Sequence, residues 1–451
     1  MRLNGIGWFA LLVVAGTVGG RAAEGQERPD SGRTVHPSFW QAAGGVLVLN
    51  ALPWAYNWYV QRWPWANVGT RVWGANFRRG FVWDDDCFLD NQFAHPYHGS
   101  FYLNSARASG YGFWGSLPYV AVGSASWELF TENVPPSLND FINTTLGGMA
   151  LGEVTFRLSS LLRAQSGGFG LGRGMAALAL SPVARAQGLL SNRMRDVGAT
   201  GGGDPELGTG WIAVGKRRAP GETIDGVTGD RTFLEFVYQQ SSPFDQGFRK
   251  PYDAFELTLQ VSPEPTGVIN QIAISGLLAR RELSRSPRSQ LVLGLFQHYD
   301  YLDVPLVEAG SQSMSGALLY QRSVGARAQV RFGAYLEAVL LGAVSSDYGH
   351  VWRRDYDYGP GAGARFLASL RYDGRDLLRF DGRLTWVHSV YGAEADHTDT
   401  YARLGTAIRL GRMIGLGGDV GVMIRHSWYR DQPSVTRRVP ETRAYLVWPP
   451  S

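Results

Sequence analysis

The residues that could do chemistry are gathered in one stretch. Between Asn91 and Glu153, polar side chains recur among apolar and small neighbours: Asn91, His95, Asn104, Arg107, Ser116, Ser124, Glu128, Glu132, Ser137, Asn139, Asp140 and Glu153. A histidine with carboxylates and hydroxyls in range suits general acid–base work. His95 would be the base or acid, Glu128 or Asp140 its partner, and a serine hydroxyl would lie nearby. Around such a centre Asn91, Asn104, Arg107, Ser124, Trp127, Ser137 and Asn139 are the candidates for holding a ligand. The same residues have a competing, structural use. Buried ionisable groups are expensive unless paired, and Arg107 paired to Glu128 or Asp140 would lock short helices together.

Other chemistries find less support. His95 and His98 are three apart, but no further His or Cys follows at ligand spacing and Pro96 is expected to break a helix between them, so no metal is expected. No G-x-S-x-G nucleophile elbow is present. The run GFGLGRG at 168–174 lacks the preceding strand and acidic partner of a dinucleotide site and reads as a loop, leaving no cofactor expected. Cys87 follows Asp84, Asp85 and Asp86, whose charges disfavour its thiolate.

The elements that must position these residues begin with an export signal. Arg2 precedes an apolar run from Ile6 to Val18, and small residues follow through Ala23. Residues 1–23 read as a cleaved signal peptide and 24–36 as a polar linker. From 37 to 190 the chain reads as helical. Phe39 to Val60 carries no charge, but Asn50, Pro53 and Asn57 interrupt it. It suits a buried or interfacial helix, with a membrane-crossing helix or one held inside a barrel as alternatives. Ala108 to Trp127 is also uncharged. Ser137 to Leu162 opens with a capped start, and Gly147, Gly148 and Gly152 would let helices approach closely. Residues 191–230, with the Gly-rich run Thr200 to Asp204, read as a flexible loop.

From 231 to 448 the period changes to two. Val330, Phe332, Ala334, Leu336, Ala338 and Leu340 alternate with Arg331, Gly333, Tyr335 and Glu337; Ala364 to Asp373 and Phe255 to Val261 alternate likewise. Segments of about ten residues separated by polar loops match outer-membrane strands, and the region has room for roughly 10 to 14 of them. The expected fold is mainly β with an N-terminal α segment: a transmembrane antiparallel β-barrel preceded by a helical plug or periplasmic helical segment. Trp448 would supply the aromatic near the end of the last strand.

Composition narrows the classes. Aromatics make up 12% of 451 residues, charged residues only 18%, and there are 58 Gly and a single Cys. Disorder and a disulfide scaffold are excluded. A mean hydropathy of −0.15 is too low for a polytopic helical protein. The net charge of +4 comes from 43 basic and 39 acidic residues, with arginines scattered singly, which excludes a nucleic-acid partner.

The ordered set His95-Pro96-Tyr97-x-Gly99, Asn104-x-Ala106-Arg107-x-x-Gly110, Ser124-x-x-Trp127-Glu128, Pro136-Ser137-x-Asn139-Asp140, Gly147-Gly148 and Gly152-Glu153 resembles a domain-of-unknown-function family of Gram-negative outer-membrane proteins. The resemblance covers about residues 67–165. It implies export, a helical segment and a following barrel, and it implies no reaction. Glu128 to Gly148 is also similar, more weakly, to VanZ-like membrane proteins.

The functional expectation is an outer-membrane barrel, non-enzymatic, that passes or binds a small or lipidic ligand or serves envelope maintenance. Its partners would be outer-membrane lipid and the barrel-assembly machinery. One alternative is an outer-membrane hydrolase or acyltransferase acting on lipid or envelope ester bonds through His95 with Glu128 or Asp140. The other is an inner-membrane-anchored protein with a periplasmic β-domain.

Overall fold

A computed structural model describes residues 37–164, 171–191 and 208–448, apart from 221–222, 225–226, 229, 264–267, 305–306, 350–355, 374 and 412–413. The expected signal peptide and linker lie outside the described residues. The chain divides into two compact units, Met1–Glu206 and Leu207–Ser451.

The first unit is helical. Helix α1 (Phe39–Ala55) starts where the Ser38 hydroxyl accepts from the Gln41 N–H at 3.4 Å, and widens into a π turn at Tyr56–Val60. It buries Ala42, Val46 and Asn50 on one face. Helix α2 covers Thr70–Arg79. Helix α3 (His95–Ala108) follows directly on a π turn at Asp90–Ala94. Pro96 therefore does not break the helix between His95 and His98. It stands in the first turn, where its missing N–H is tolerated, and the wide turn before it absorbs the ring.

Helix α4 (Phe113–Phe130) leads to α5 (Leu138–Ile142), a π turn at Asn143–Gly147, and α6 (Gly148–Ala164). Ser137 caps α5 by accepting from the Asp140 N–H at 3.1 Å. Glycine sets the closeness of α3 to α6: a Cβ on Gly99 would lie 1.9 Å from the Thr144 carbonyl oxygen, and one on Gly148 would lie 2.6 Å from Gly99. The helical stretch ends in two helices, α7 (Leu171–Leu180) and α8 (Pro182–Ser191), separate because Pro182 can begin a helix but not continue one.

The second unit is a closed antiparallel barrel of twelve strands. They are β1 (Thr209–Arg218), β2 (Arg231–Gln240), β3 (Phe255–Val261), β4 (Ile269–Arg285), β5 (Ser289–Val304), β6 (Val307–Val324), β7 (Ala328–Ser345), β8 (Tyr356–Tyr372), β9 (Arg375–His388), β10 (Ala395–Arg409), β11 (Gly415–Tyr429) and β12 (Val435–Trp448). Each pairs with its neighbour in sequence, and β1 closes the barrel on β12 in a register running from Ile212↔Trp448 to Arg218↔Thr442. The barrel thus begins at Thr209, within the stretch expected as a flexible loop. Gly210, Gly215 and the basic run Lys216 to Arg218 hide the alternation of β1. Its Arg217 is nevertheless buried, drawn inward by Glu441.

Alternation along the strands sorts the side chains. On β7, Phe332, Leu336 and Leu340 are exposed on the outer wall, with Leu336 77% exposed, while Tyr335, Glu337, Val339 and Leu341 are buried inside. The same split places Leu293, Leu318, Phe366, Leu384, Leu404, Val420 and Leu446 on the outer surface. The 241–254 loop folds inward, and Phe244 packs against Leu277, Val292, Phe296, Leu319 and Tyr335.

Candidate functional site

Three segments of the helical unit build one polar cluster: the Asp84–Asp86 turn, the π turn with the start of α3, and α5 with the π turn after it. His95 Nε2 lies 3.3 Å from Asp140 Oδ2, with the histidine side chain 16% exposed and the aspartate 4%. The other ring nitrogen, Nδ1, lies 3.4 Å from the Thr144 hydroxyl. Asn139 donates to Asp84 Oδ1 at 2.7 Å, to Asn91 Oδ1 at 3.2 Å and to Asp140 Oδ1 at 3.0 Å. Asn91 donates in turn to the Asp86 carbonyl at 3.1 Å. Of the two proposed partners for His95, Asp140 is the one that meets it. Glu128 instead accepts from the Ser137 N–H at 2.8 Å.

The carboxyls are driven apart in proton affinity. Burial, then the charges of Asp84 and Glu128, pushes Asp140 well above the usual carboxylate range. Burial would raise Asp84 too, but hydrogen bonds from Asp140, Asn139 and Ser137 outweigh it and hold the carboxyl below its usual value. One acid keeps its proton and the adjacent one keeps its charge, as close carboxyl pairs do. Burial, then Asp84, lifts Asp86 to about 6. Burial, then Glu132, lifts Glu128 well above its usual value, and burial lifts Glu132 to about 7 against the Trp127 indole N–H, which donates to it at 2.8 Å. Burial depresses the proton affinity of His95 and outweighs the nearby Asp84 and Asp90, which would raise it.

Chemically this arrangement is able to hold and pass protons: acid, imidazole and hydroxyl stand in a row. One ligand atom each from Asp86, His95 and Asp140 lie within 4.8 Å of one another, close enough for a shared cation. The hydroxyl that meets His95 belongs to Thr144, which is buried, and not to a serine.

The remaining candidates fall elsewhere. His98 faces away from the cluster, 3.2 Å from the Leu49 carbonyl oxygen and edge-on to Trp127. Burial lowers it to about 4. Asn104 donates to Thr155 at 3.4 Å, between α3 and α6. Ser124 is buried on α4. Arg107 pairs with neither Glu128 nor Asp140. Its guanidinium meets Glu153 Oε2 at 3.0 Å, while Arg157 meets Glu153 Oε1 at 2.8 Å. The register of α3 carries Arg107 three turns beyond His95, out of reach of the acids. Asp84, Asp86 and Thr144 are members that residue type and spacing do not mark. The acidic run was visible, but no spacing tied Asp84 to Asn139, 55 residues on.

The barrel holds a second polar centre. A cavity of about 160 Å³ is lined by Arg217, Arg365, Arg383, Arg403 and Arg425 with Asp300, Asp381, Asp399 and Glu441. Arg365 bridges Asp300 at 2.6 Å and Glu337 at 2.5 Å, and Arg383 reaches Asp300 at 3.0 Å. Glu441 is shared by Arg217 at 2.8 Å and Arg403 at 2.9 Å. The cavity has room for several waters or a small solute.

A family described as "Domain of unknown function (DUF3943)" matches residues 80–183, which include the whole polar cluster of the helical unit. No curated protein sequence matches the chain. Among solved structures, the chain is similar to the KdgM porin, with 8% identity, 53% of this chain and 98% of the porin covered, and a TM-score of 0.26. It is similar to the NanC porin at 8% identity, covering 52% and 98%, with a TM-score of 0.28. The outer membrane channel DcaP of Acinetobacter baumannii is 9% identical over 54% of this chain and 96% of its own, with a TM-score of 0.22. The barrel itself rests on the strand pairing described above.

Proposed function

We propose that the protein is an outer-membrane β-barrel, exported through a cleaved signal peptide, that admits small anionic or polar solutes to an arginine-lined lumen. One observation carries this reading: a closed barrel with apolar residues on its outer wall and, around an internal cavity, five arginines against four acids, a lining with a net positive charge. A lipid-facing exterior with a polar interior is the pattern of outer-membrane barrels. Guanidinium groups in a low-dielectric lumen favour solutes with carboxylate or phosphate groups. Exposed Leu, Phe and Val along the strands would be an aggregation hazard in water, whereas in lipid they are at home. Among the described residues no helix is long and apolar enough to cross a membrane. Insertion would then rest on the strands and require the barrel-assembly machinery.

Two measurements test this. After outer-membrane fractionation, the unheated protein should run faster on gels than the boiled protein. In planar bilayers it should conduct with a preference for anions, and Arg383→Ala should weaken that preference. An absent gel shift, or a cation preference unchanged by the substitution, would sink the reading.

A further inference from the structure

From Pro37 to Trp83 the chain contains no Asp or Glu, while Arg62, Arg71, Arg78 and Arg79 are all exposed. The same segment shows an apolar face to solvent. On α1, Trp40 is 82% exposed, Leu47 69% and Leu52 66%; on the π turn that follows, Tyr59 is 68% exposed. These positions are not exposed by chance of rotation. The opposite face is fixed by Asn50, which donates to the Gly123 carbonyl at 3.2 Å and to the Ser126 hydroxyl at 2.7 Å and accepts from the Tyr102 hydroxyl. On α2, Phe77 is 60% exposed beside Arg78 and Arg79, while Asn76 is buried and tied to the Glu132 carbonyl at 2.9 Å. Two helices anchored by buried asparagines thus turn aromatic and aliphatic side chains outward, with arginines at their margins.

We propose that this face of the helical unit lies on an anionic phospholipid surface. A helix face of Trp, Leu and Tyr with flanking arginines suits the boundary between head groups and acyl chains. The segment lies on the surface rather than crossing it, since no described helix is long and apolar enough to cross. The charge selects the occupant. A second copy of this face would set four arginines against four, and the segment from Pro37 to Trp83 itself carries no acid to answer them, whereas anionic head groups complement all four. Each exposed arginine near such a surface strengthens attachment about fivefold. The inference rests on the reading that the barrel sits in a membrane.

The test uses the full chain in vesicles. Cys87→Ser removes the native thiol, and Leu47→Cys takes an environment-sensitive fluorophore. Asp85→Cys, at an exposed polar position, serves as control. Vesicles contain phosphatidylglycerol or only phosphatidylcholine, each with a nitroxide-bearing phospholipid as quencher. The label at position 47 should be blue-shifted and quenched in phosphatidylglycerol vesicles. Quenching should be several-fold weaker in phosphatidylcholine, and weaker again when Arg62, Arg71, Arg78 and Arg79 become Gln; the control should stay unquenched throughout. A label that remains water-exposed in both vesicles overturns the proposal. A blue shift without quenching also overturns it, and assigns the face to a protein contact instead. The gel shift on boiling, read from the same sample, reports separately on the barrel, so failure of the face is not confused with failure of the barrel.

Discussion

The two units bury most of their carboxylates by different means. In the barrel most deep acids are met by arginine: Asp300 by Arg365 and Arg383, Glu441 by Arg217 and Arg403, Asp347 by Arg425 at 2.6 Å, and Glu235 by Arg443 at 2.8 Å, while Asp357 is met by His397 at 3.1 Å and the Ala393 N–H at 2.7 Å. In the helical unit Glu153 is held by Arg107 and Arg157, whereas Glu128, Glu132 and Asp140 are met by a backbone N–H, an indole, a carboxamide and one histidine. The first arrangement neutralises charge with counter-charge, and the second with protons. Fixed ion pairs hold their state across a wide range of pH. Proton-held acids change state within it, so the helical cluster can respond to protons or to a cation.

The comparison can be broken most severely in the barrel. Arg365→Ala leaves Asp300 and Glu337 short of their shared partner, and should destabilise the barrel by about 3–5 kcal/mol in urea titrations followed by the gel shift. A loss well under 1 kcal/mol would mean that lumen water, not arginine, solvates these acids.

Next comes the helical cluster. The folded-state value of Glu132 is raised to about 7 from an ordinary 4.5. The folded protein therefore binds the proton more tightly than the unfolded chain. Stability from this group is fullest below about 4.5 and is lost as pH rises towards 7. Glu132→Gln keeps an acceptor for the Trp127 indole and removes the titration. Helical melting by circular dichroism should gain up to about 3 kcal/mol at pH 8 and almost nothing at pH 4. An equal gain at both values would show that Glu132 does not titrate in the folded protein. Histidines 95 and 98, both depressed by burial, contribute the opposite slope below about 6.5 and remain in the variant.

The smallest effect sharpens the anchoring of α1. Tyr102→Phe removes the donor to Asn50 and should cost about 1 kcal/mol of helical stability. A neutral result would mean that the Gly123 and Ser126 contacts alone set the rotation of α1.

Much of the fold is legible because its rules are local. Period two along Val330 to Leu340 marks a strand with one apolar face, and the range of strand number follows from length alone. Strand β1 escapes because its glycines carry no side-chain signal and its arginine faces inward. The helical segment is legible as helical, and Ser137 as its cap. Its wide turns are not, since nothing local marks where a helix loosens to admit Pro96. For the site, the membership of His95, Asn91, Ser137, Asn139 and Asp140 can be read from residue type. The pairing cannot: His95 with Asp140 rather than Glu128, and Arg107 with Glu153, follow from which face of α3 meets α5 and which meets α6. That is decided by glycines 99 and 148, whose closeness is a property of two helices together.

The seam between β1 and β12 carries a consequence for kinetics. Every other strand junction joins neighbours in the chain and can close as a hairpin, within microseconds when unhindered. Ile212 and Trp448 lie more than two hundred residues apart, so their pairing waits on the ordering of everything between them. Until then the sheet is open, with two unpaired edges that could recruit another chain. The last step of assembly is therefore also the one that removes the hazard, and substitutions along Ile212 to Arg218 should slow closure more than their effect on the finished barrel would suggest.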